Sequence, residues 1–379
     1  MRKFAALFAL LLAPVAGALA LRATTASADQ AETTVLGDLI SRALSTPGSR
    51  VQVGAVDGAL SSDATIRNVT VSDKDGAWLK LDAARLVWTR TALLTGKLAV
   101  DRLEIGKLET LRRRAPSDEV APPPDPNKPA SILPELPVRV EIKDFALAEL
   151  ALGEALIGEA ARISAKGKAK LGPPAEGLDA TLQTQRTDRP GAIDLRLLFV
   201  PTGEKLTIKL TAKEPAGGVI ARLANIPGLP PVDLDVDGDG SLDNFASRIQ
   251  LAAGATIGAN GDVTLRRETG GRRLDIDLSA RIEGLLPPAA QPLFAGGALA
   301  QGALHLREDG GYQFERVGVE SDVARLEIDG LVDAAKVADL RISGRALPPR
   351  PGAPPSEVKI ERLTFDTTVK GPVNAPTVA

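Results

Sequence analysis

A period-two alternation of apolar and polar residues constrains this chain more than any other feature of its sequence. Leu79 and Leu81, for example, alternate with Lys80. Because successive side chains of a β-strand point to opposite faces of a sheet, such a stretch predicts a strand with one apolar face and one polar face. Turn residues at 73–76 separate two such stretches. Residues 49–114 are therefore predicted to form an amino-terminal antiparallel β meander.

The same alternation resumes after a proline-rich segment and continues to the end of the chain. Proline cannot donate a backbone hydrogen bond to a sheet, so residues 115–134 are predicted to form an extended linker. Residues 135–379 are predicted to form a repeated set of strands along a groove that continues beyond this chain. Two later stretches, at 216–224 and 288–293, look helical, and both are short.

So many half-apolar strands need a second layer, and a few short helices cannot cover them. The remaining solutions are a sandwich, a closed barrel, or a sheet curled along its length around an apolar trough. Aromatic residues make up only 3% of the chain, whereas an outer-membrane barrel carries aromatic girdles. We therefore predict a mostly β fold: an elongated, curled antiparallel sheet (a taco-like β-groove) with an amino-terminal signal or anchor helix and a few short helices.

The amino terminus is predicted to carry a targeting signal, because the basic pair Arg2-Lys3 precedes an apolar segment. Residues 1–28 end in Ala26-Ser27-Ala28, which is typical of a signal-peptide cleavage site, but the apolar run is also long enough for a retained anchor. Both interpretations send the rest of the chain across the inner membrane. The membrane segment is predicted to comprise Phe4, Leu7, Phe8, Leu10, Leu11, Leu12, Val15, Leu19 and Leu21.

Residues 29–48 are predicted to form an amphipathic helix that a proline–glycine pair ends. A short amphipathic helix ahead of a sheet most simply covers the open end or edge of that sheet. Binding to a membrane surface is the weaker interpretation, since the polar side of this helix lacks a lysine-rich stripe.

The composition argues against several classes of function. The formal net charge is −2, so there is no general basic field for nucleic acid, and no nucleic-acid partner is predicted. The absence of cysteine removes thiolate nucleophiles and zinc–thiolate sites. His305, the only histidine, and the carboxylates Asp275 and Asp277 fall on the polar sides of strands and are expected to be solvated surface residues. We predict no catalytic residue, metal site, cofactor or enzymatic activity.

Residues 235–240 resemble the start of a calcium-binding loop because aspartates occupy three alternate positions. The full motif demands a bidentate carboxylate at its twelfth position, where this sequence has Ala246. The preceding Val232, Leu234 and Val236 alternate with polar residues as in a strand. A strand that ends in an Asp-Gly turn is therefore the preferred interpretation.

Several segments, in order along the chain, resemble the amino-terminal region of the TamB family, the inner-membrane subunits of the translocation and assembly module within the AsmA-like group. The resemblance covers nearly the whole chain, and its motifs are degenerate patterns rather than a catalytic fingerprint. It rests on Gly58-Ala59-Leu60, Asp75-Gly76-Ala77-Trp78-Leu79, Trp88, Leu93-Leu94, Gly96-Lys97-Leu98, Pro134-Glu135-Leu136-Pro137-Val138 and Gly371-Pro372-Val373-Asn374-Ala375-Pro376.

The resemblance implies an aliphatic groove that crosses the periplasm of the bacterial cell envelope and conducts phospholipid between the inner and outer membranes. It also implies a part in outer-membrane protein assembly and secretion together with a TamA-like outer-membrane barrel. Members of the family are several times longer and meet that barrel through a carboxy-terminal domain. This chain is therefore expected to be a fragment or a truncated gene product that lacks the docking region.

A groove for acyl chains needs only apolar walls, and the polar headgroup can stay in water at the open edge. On this hypothesis the lining of the lipid groove comprises Leu79, Leu81, Leu86, Trp88, Leu98, Val100, Leu103, Ile105, Val138, Val140, Ile142, Ile193, Leu195, Leu197, Leu206, Ile208, Leu210, Leu274, Ile276 and Leu278. The same residues could instead fill a dry core, which would make the protein a β-rich periplasmic scaffold that binds client strands. An envelope hydrolase, the third alternative, needs a nucleophile and a base that the sequence does not offer.

Overall fold

The computed structural model describes residues 41, 45, 48–58, 61–115, 138–202, 205–347, 364–373 and 375–378. The predicted membrane segment, most of the predicted helix at 29–48 and nearly all of the predicted linker at 115–134 lie outside these residues. Within the described ranges, none of the helices has the length and hydropathy of a membrane span.

The chain divides into two compact units. Unit 1 consists of Met1–Pro173 and Ala180–Pro190, and unit 2 consists of Pro174–Asp179 and Gly191–Ala379. The first strand after the proline-rich segment pairs with the last strand before it. The strands on both sides of the predicted linker therefore belong to one unit.

Unit 1 is built on a sheet whose neighbouring strands follow one another along the chain. Its strands are β1 (Arg50–Asp57), β2 (Asp63–Asp73), β3 (Gly76–Thr89), β4 (Lys97–Thr110), β5 (Arg139–Leu152), β6 (Ala161–Leu171) and most of β7 (Leu178–Arg186). A 3-10 turn, Arg90–Thr95, joins β3 to β4, and a short helix, α1 (Glu154–Ile157), follows β5. The predicted antiparallel meander is confirmed for β1 to β4.

β4 and β5 pair in parallel, with Lys97 opposite Arg139 and Thr110 opposite Leu152. This join differs from the antiparallel pairing that the sequence predicts. Antiparallel neighbours need only a tight turn, whereas parallel neighbours need a connection long enough to return the chain to its starting end. Residues 111–138 provide such a connection.

In unit 2, each strand from β8 to β18 pairs antiparallel with the next along the chain. The strands are β8 (Ala192–Val200), β9 (Lys205–Glu214), β10 (Val232–Ser241), β11 (Asn244–Ala253), β12 (Ile257–Glu268), β13 (Gly271–Arg281), β14 (Ala298–Arg307), β15 (Tyr312–Glu320), β16 (Ala324–Val332), β17 (Val337–Ala346), β18 (Thr364–Pro372) and the short β19 (Thr377–Val378). The prediction of a mostly β fold with few short helices is confirmed, and the sheet is not closed.

The helical elements that the structure describes in unit 2 lie in the connections β9–β10 and β13–β14, at the same end of the strands. The stretch predicted at 216–224 contains α2 (Val219–Leu223), and the stretch predicted at 288–293 overlaps a 3-10 turn, Gln291–Phe294. A further 3-10 turn, Glu283–Leu285, precedes it. In α2, Ala221 is buried in a cluster with residues from the adjoining ends of β10, β11 and β12. This helix therefore covers one end of the apolar face of the sheet.

The turn between β2 and β3 is tied to the chain beyond β4 by Asp73, whose side chain is only 2% exposed. Its carboxylate accepts hydrogen bonds from the Arg112 guanidinium at 3.0 Å, the Ala115 amide at 2.7 Å and the Asp75 amide at 2.8 Å. The Arg112 hydrogen bonds, followed by those from the two backbone amides, outweigh burial and hold the pKa of Asp73 well below its usual range.

We expect Asp73→Asn to destabilise unit 1 at neutral pH and to have less effect in acid. A carboxyl group whose pKa is lowered in the folded state stabilises the protein above its unfolded pKa of about 4, and this stabilisation disappears as the pH falls. The difference in free energy of unfolding between wild type and Asp73→Asn should therefore be constant above about pH 5 and shrink below about pH 4.

Urea unfolding followed by tryptophan fluorescence measures this difference, because Trp78 and Trp88 are the only tryptophans and both lie in unit 1. The exposed Asp82 provides the control, and Asp82→Asn should change stability by no more than about 0.5 kcal/mol. An effect of Asp73→Asn that stays constant into acid would contradict the proposed role of its charge.

Candidate functional site

The predicted lining residues of unit 1 fall on one face of its sheet. Trp88 lies opposite Val100 on β4, and Val100 in turn lies opposite Ile142 on β5. In the next row, Leu98 lies opposite Val140. Leu98, Val100, Val140 and Ile142 are buried together, and the predicted residues that pack against them are Leu86, Trp88, Leu103 and Val138.

A second buried cluster lies further along the same face. It contains the predicted residues Leu79 and Ile105, with Leu81 and Leu103 packed against it. Leu103 and Phe145 contact both clusters. The apolar face of unit 1 is therefore continuous from β1 to β6.

A β-bulge keeps this face continuous where the alternation changes phase. From Val100 to Leu103 the step is three residues, which in a regular strand would move Leu103 to the opposite face. Between β3 and β4 the register shifts, because Val87 lies opposite Arg102 while the next residue, Trp88, lies opposite Val100. This β-bulge accommodates the extra residue of β4, so the apolar residues on both sides of the register shift lie on one face.

Two sets of residues on the apolar face of unit 1 could not be predicted from the alternation of large apolar side chains. β5 continues the face with Phe145 and Leu147 after another three-residue step, which hides them from a period-two search. β6 contributes Ala165 and Ala169, both buried. The sequence of β6 does carry a pattern that predicts this face, since small residues alternate there with lysines.

The predicted lining residues of unit 2 also share one face. Leu195 and Leu197 of β8 lie opposite Leu210 and Ile208 of β9, and Leu210 lies opposite Val236 of β10. The predicted members are Ile193, Leu195, Leu197, Leu206, Ile208, Leu210, Leu274, Ile276 and Leu278, and the intervening strands add Leu234, Val236, Ile249, Leu251, Val263 and Leu265.

The two units differ in how far the apolar face is buried. In unit 1, Leu98 and Ile142 are each 3% exposed and Val100 is 1% exposed. In unit 2, all nine predicted lining residues are only half-buried. The face of unit 2 therefore keeps aliphatic surface that solvent or a ligand can reach.

Two aromatic side chains of unit 2 lie across glycines of the neighbouring strands. A Cβ atom added to Gly238 would lie 2.3 Å from Phe245 Cζ, and one added to Gly344 would lie 2.2 Å from Phe365 Cε1. The missing side chains let the rings lie flat against the sheet, which spreads apolar surface along the face.

Ion pairs cover much of the opposite face. Arg273 contacts Asp275 at 2.8 Å and Glu315 at 2.5 Å, and Arg266 contacts Asp275 at 2.6 Å. Burial works to raise the pKa of Asp275, but hydrogen bonds from Arg266 and Arg273 outweigh it and hold the pKa below its usual value. The expectation that Asp275 is simply solvated is therefore wrong, whereas Asp277 is exposed.

His305 is the remaining polar candidate of the sequence. His305 lies opposite Arg273 and Gln313 on the polar side of β14, but it is half-buried rather than a fully exposed surface residue. Its Nε2 atom has no hydrogen-bond partner within the described ranges. Among the residues that the structure describes, no group of three or more histidines and carboxylates could hold a metal ion.

The calcium-loop residues lie along a strand. β10 runs through Ser241, and Asp237 contacts Lys209 at 3.0 Å across the sheet. Asp239 accepts a hydrogen bond of 2.7 Å from the Thr207 hydroxyl. The strand interpretation of this segment is confirmed, but the predicted Asp-Gly turn is wrong, because Asp239 and Gly240 are still paired within β10 and the turn follows at residues 242–243.

Unit 2 also holds an open cleft of about 520 Å³ near the ends of β12, β13 and β14. None of the predicted lining residues contributes to it. The residues around it are mostly short, with a few charged side chains, and include Gly258, Asn260, Ser279, Arg281, Gly297, Leu299 and Asp322.

Comparison with known proteins does not assign the chain to a family. No protein-family model, no curated protein and no solved structure matches it. The resemblance to the TamB family therefore rests on sequence motifs alone.

Proposed function

We propose that this chain is a TamB-like carrier of phospholipid in the bacterial cell envelope. On this proposal the sheet curls into a periplasmic groove, the apolar face lines that groove, and lipid passes along it between the inner and outer membranes. The amino-terminal segment directs the chain to the inner membrane, as a cleaved signal or a retained anchor. The observation that carries the proposal is the half-buried aliphatic face of unit 2, which extends from strand to strand.

The energetics of this face favour a ligand with acyl chains. Exposing apolar surface to water costs about 25 cal/mol per Å². The free energy therefore falls when hydrocarbon covers a contiguous aliphatic face of many strands. Large exposed apolar patches on soluble domains commonly mark binding surfaces. The ion pairs of the opposite face, such as Lys209–Asp237, suit permanent contact with water.

Lipid carriage requires no bond chemistry from the protein. The acyl chains need only the aliphatic wall, and the headgroup can remain in water along the open side of the sheet. The proposal extends to assembly and secretion of outer-membrane proteins with a TamA-like barrel as partner. That extension draws its support from the family resemblance alone.

A β-rich scaffold with a dry core is the second candidate function. It is favoured by unit 1, where Val100, Ile142 and Ile105 are buried among other aliphatic side chains, as in a dry core. On this alternative, client strands would bind through backbone hydrogen bonds at sheet edges, and polar substitutions on the face of unit 2 would not affect binding.

Adjacent residues of unit 2 allow a matched test. Leu210 and Ile276 are half-buried on the apolar face, whereas the neighbouring Thr211 and Asp277 are exposed on the polar face. We expect Leu210→Asn/Ile276→Asn to lose most of the phospholipid that co-purifies with the wild type, because two polar amides interrupt the aliphatic wall. Thr211→Asn/Asp277→Asn should retain it.

Native mass spectrometry with lipid extraction measures the bound phospholipid, and far-UV circular dichroism confirms that each variant is folded. Benzoylphenylalanine at position 210, but not at position 211, should also crosslink to phospholipid in cells. A wild type free of lipid, or equal loss of lipid in both double variants, would favour the scaffold function instead.

A further inference from the structure

The connection between β9 and β10 of unit 2 forms a closed loop over the apolar face of the sheet. Its two ends, at residues 217 and 229, lie side by side, because the Gly217 amide donates a hydrogen bond of 2.7 Å to the Leu229 carbonyl. The helix α2 lies within this loop. Compact surface loops whose ends meet in this way are frequently functional. Residues 217–229 therefore join the sheet at a single place.

The sheet beneath this loop carries the end row of the apolar face. Val232 lies opposite Ala253, and Ala253 lies opposite Ile257. These three residues are buried together with Ala221 of α2, and the partly buried residues packed against them are Ile220, Ile226, Leu229, Leu234 and Leu251. Leu234 and Leu251 lie opposite each other and belong to the half-buried face. The aliphatic wall thus continues under the loop, and the loop sets where its accessible part ends.

A carboxylate from the sheet holds α2 in place. α2 has only five residues, and Gly218 at its amino-terminal cap has no side chain that could accept a hydrogen bond. Glu214, the last residue of β9, takes this part, because its Oε2 atom accepts a hydrogen bond of 2.7 Å from the Ile220 amide. Since an isolated helix of this length is not stable in water, α2 depends on this cap and on the apolar contacts beneath it.

The two ends of the loop have the backbone conformation of a hinge. Gly217 has φ of 73° and Gly228 has φ of 72°, a left-handed conformation that glycine adopts freely. Leu229 has φ of 46°, which is unfavourable for a residue with a side chain, so the closed position carries backbone strain. The hinges of moving loops are a few terminal residues that absorb such backbone changes. The loop can therefore move at its ends while β9 and β10 stay paired.

We propose that residues 217–229 form a lid that lifts from the end of the apolar face, and that an acyl chain takes its place on Val232, Ala253 and Ile257. Opening in water exposes these residues, whereas an acyl chain replaces one aliphatic contact by another. Lipid therefore favours the open lid, because a ligand shifts such an equilibrium through its different affinity for the two states. The identity of the occupant rests on the proposed lipid carriage, but the opening of the lid does not.

A single introduced thiol reports the opening, because the chain has no cysteine. Ala253→Cys lies beneath the lid and Ala324→Cys lies outside it at the start of β16, and both alanines are 0% exposed. Without lipid, Ellman's reagent should label position 253 about tenfold faster than position 324, because position 253 needs only a local opening. Far-UV circular dichroism confirms that each variant is folded.

Substitutions of Glu214 test its part in holding the lid. Glu214→Ala removes the cap and should speed the labelling of position 253 about tenfold further, while position 324 keeps its rate. Glu214→Gln retains an oxygen that can accept the hydrogen bond from Ile220 and should keep the wild-type rate. In the chain without substitutions, the Ala224 and Ile226 amides should exchange hydrogen faster than the paired amides of β16. The lid is overturned if positions 253 and 324 label at equal rates and the amides of the loop exchange no faster than those of β16.

Dihexanoylphosphatidylcholine below its micellar concentration tests the occupant. It should speed labelling of Ala221→Cys, because the lid is displaced, and slow labelling of Ala253→Cys, because an acyl chain covers that position. An unchanged rate at both positions overturns the acyl occupant. Phospholipid that still co-purifies with the wild type would then show that lipid carriage itself stands, so the two failures are distinguishable.

Discussion

Replacing Phe294 by alanine should lower the free energy of unfolding of unit 2 by about 3–5 kcal/mol. Phe294 lies in the 3-10 turn ahead of β14 and is 1% exposed. Its loss removes the transfer free energy of the ring and leaves a cavity that the surrounding structure fills only in part. Because the sheet face of unit 2 is only half-buried, few other large side chains of this unit are as deeply buried.

Leu285→Ala is the matched control, because Leu285 lies in the same connection but is 53% exposed. It should change stability by no more than about 0.5 kcal/mol. Urea unfolding followed by far-UV circular dichroism compares the two variants, and hydrogen exchange in β13 and β14 shows whether the loss is local. Equal effects of the two substitutions would mean that Phe294 does not hold this connection to the sheet.

Replacing Gly302 by alanine is the second substitution with a large expected effect. Gly302 has φ of 146° and lies where the register between β14 and β15 shifts. An added Cβ atom would lie 2.4 Å from Val317 Cα, so backbone must move. With an unfavourable φ as well, we expect a loss of about 1–3 kcal/mol and weaker pairing between β14 and β15.

Gly296→Ala separates this strain from the general effect of adding a methyl group. Gly296 lies just before β14, and the nearest atom to an added Cβ is Asp322 Oδ2 at 3.9 Å. Alanine there should be neutral or stabilise by up to about 1 kcal/mol through a less flexible unfolded chain. Thermal unfolding of the two variants gives the comparison, and a Gly302→Ala variant as stable as Gly296→Ala would rule out the expected clash.

The strands and their apolar faces could be predicted from the sequence because both depend on local geometry. Leu195, Leu197 and Leu210 share a face since side chains of any regular strand alternate, whatever its partners are. The strand interpretation of the aspartate-rich segment at 235–240 succeeded for the same reason.

The face of a side chain was harder to predict where the apolar–polar alternation is interrupted. Phe145 and Leu147 escaped the prediction because a three-residue step reverses the expected face, and only the register shift against β6 restores it. Asp275 was expected to be solvated, but it contacts Arg266 of the neighbouring strand β12, and the proximity of these two residues depends on strand register.

The sequence by itself determined that this protein is built from amphipathic strands with few helices, because a period of two is a property of each strand alone. The tertiary structure decided the parallel pairing of β4 and β5 and the contrast between a buried face in unit 1 and a half-buried face in unit 2. These features depend on which distant residues meet. The pairing of strands determines which distant residues come into contact, and no local pattern in the sequence predicts these contacts.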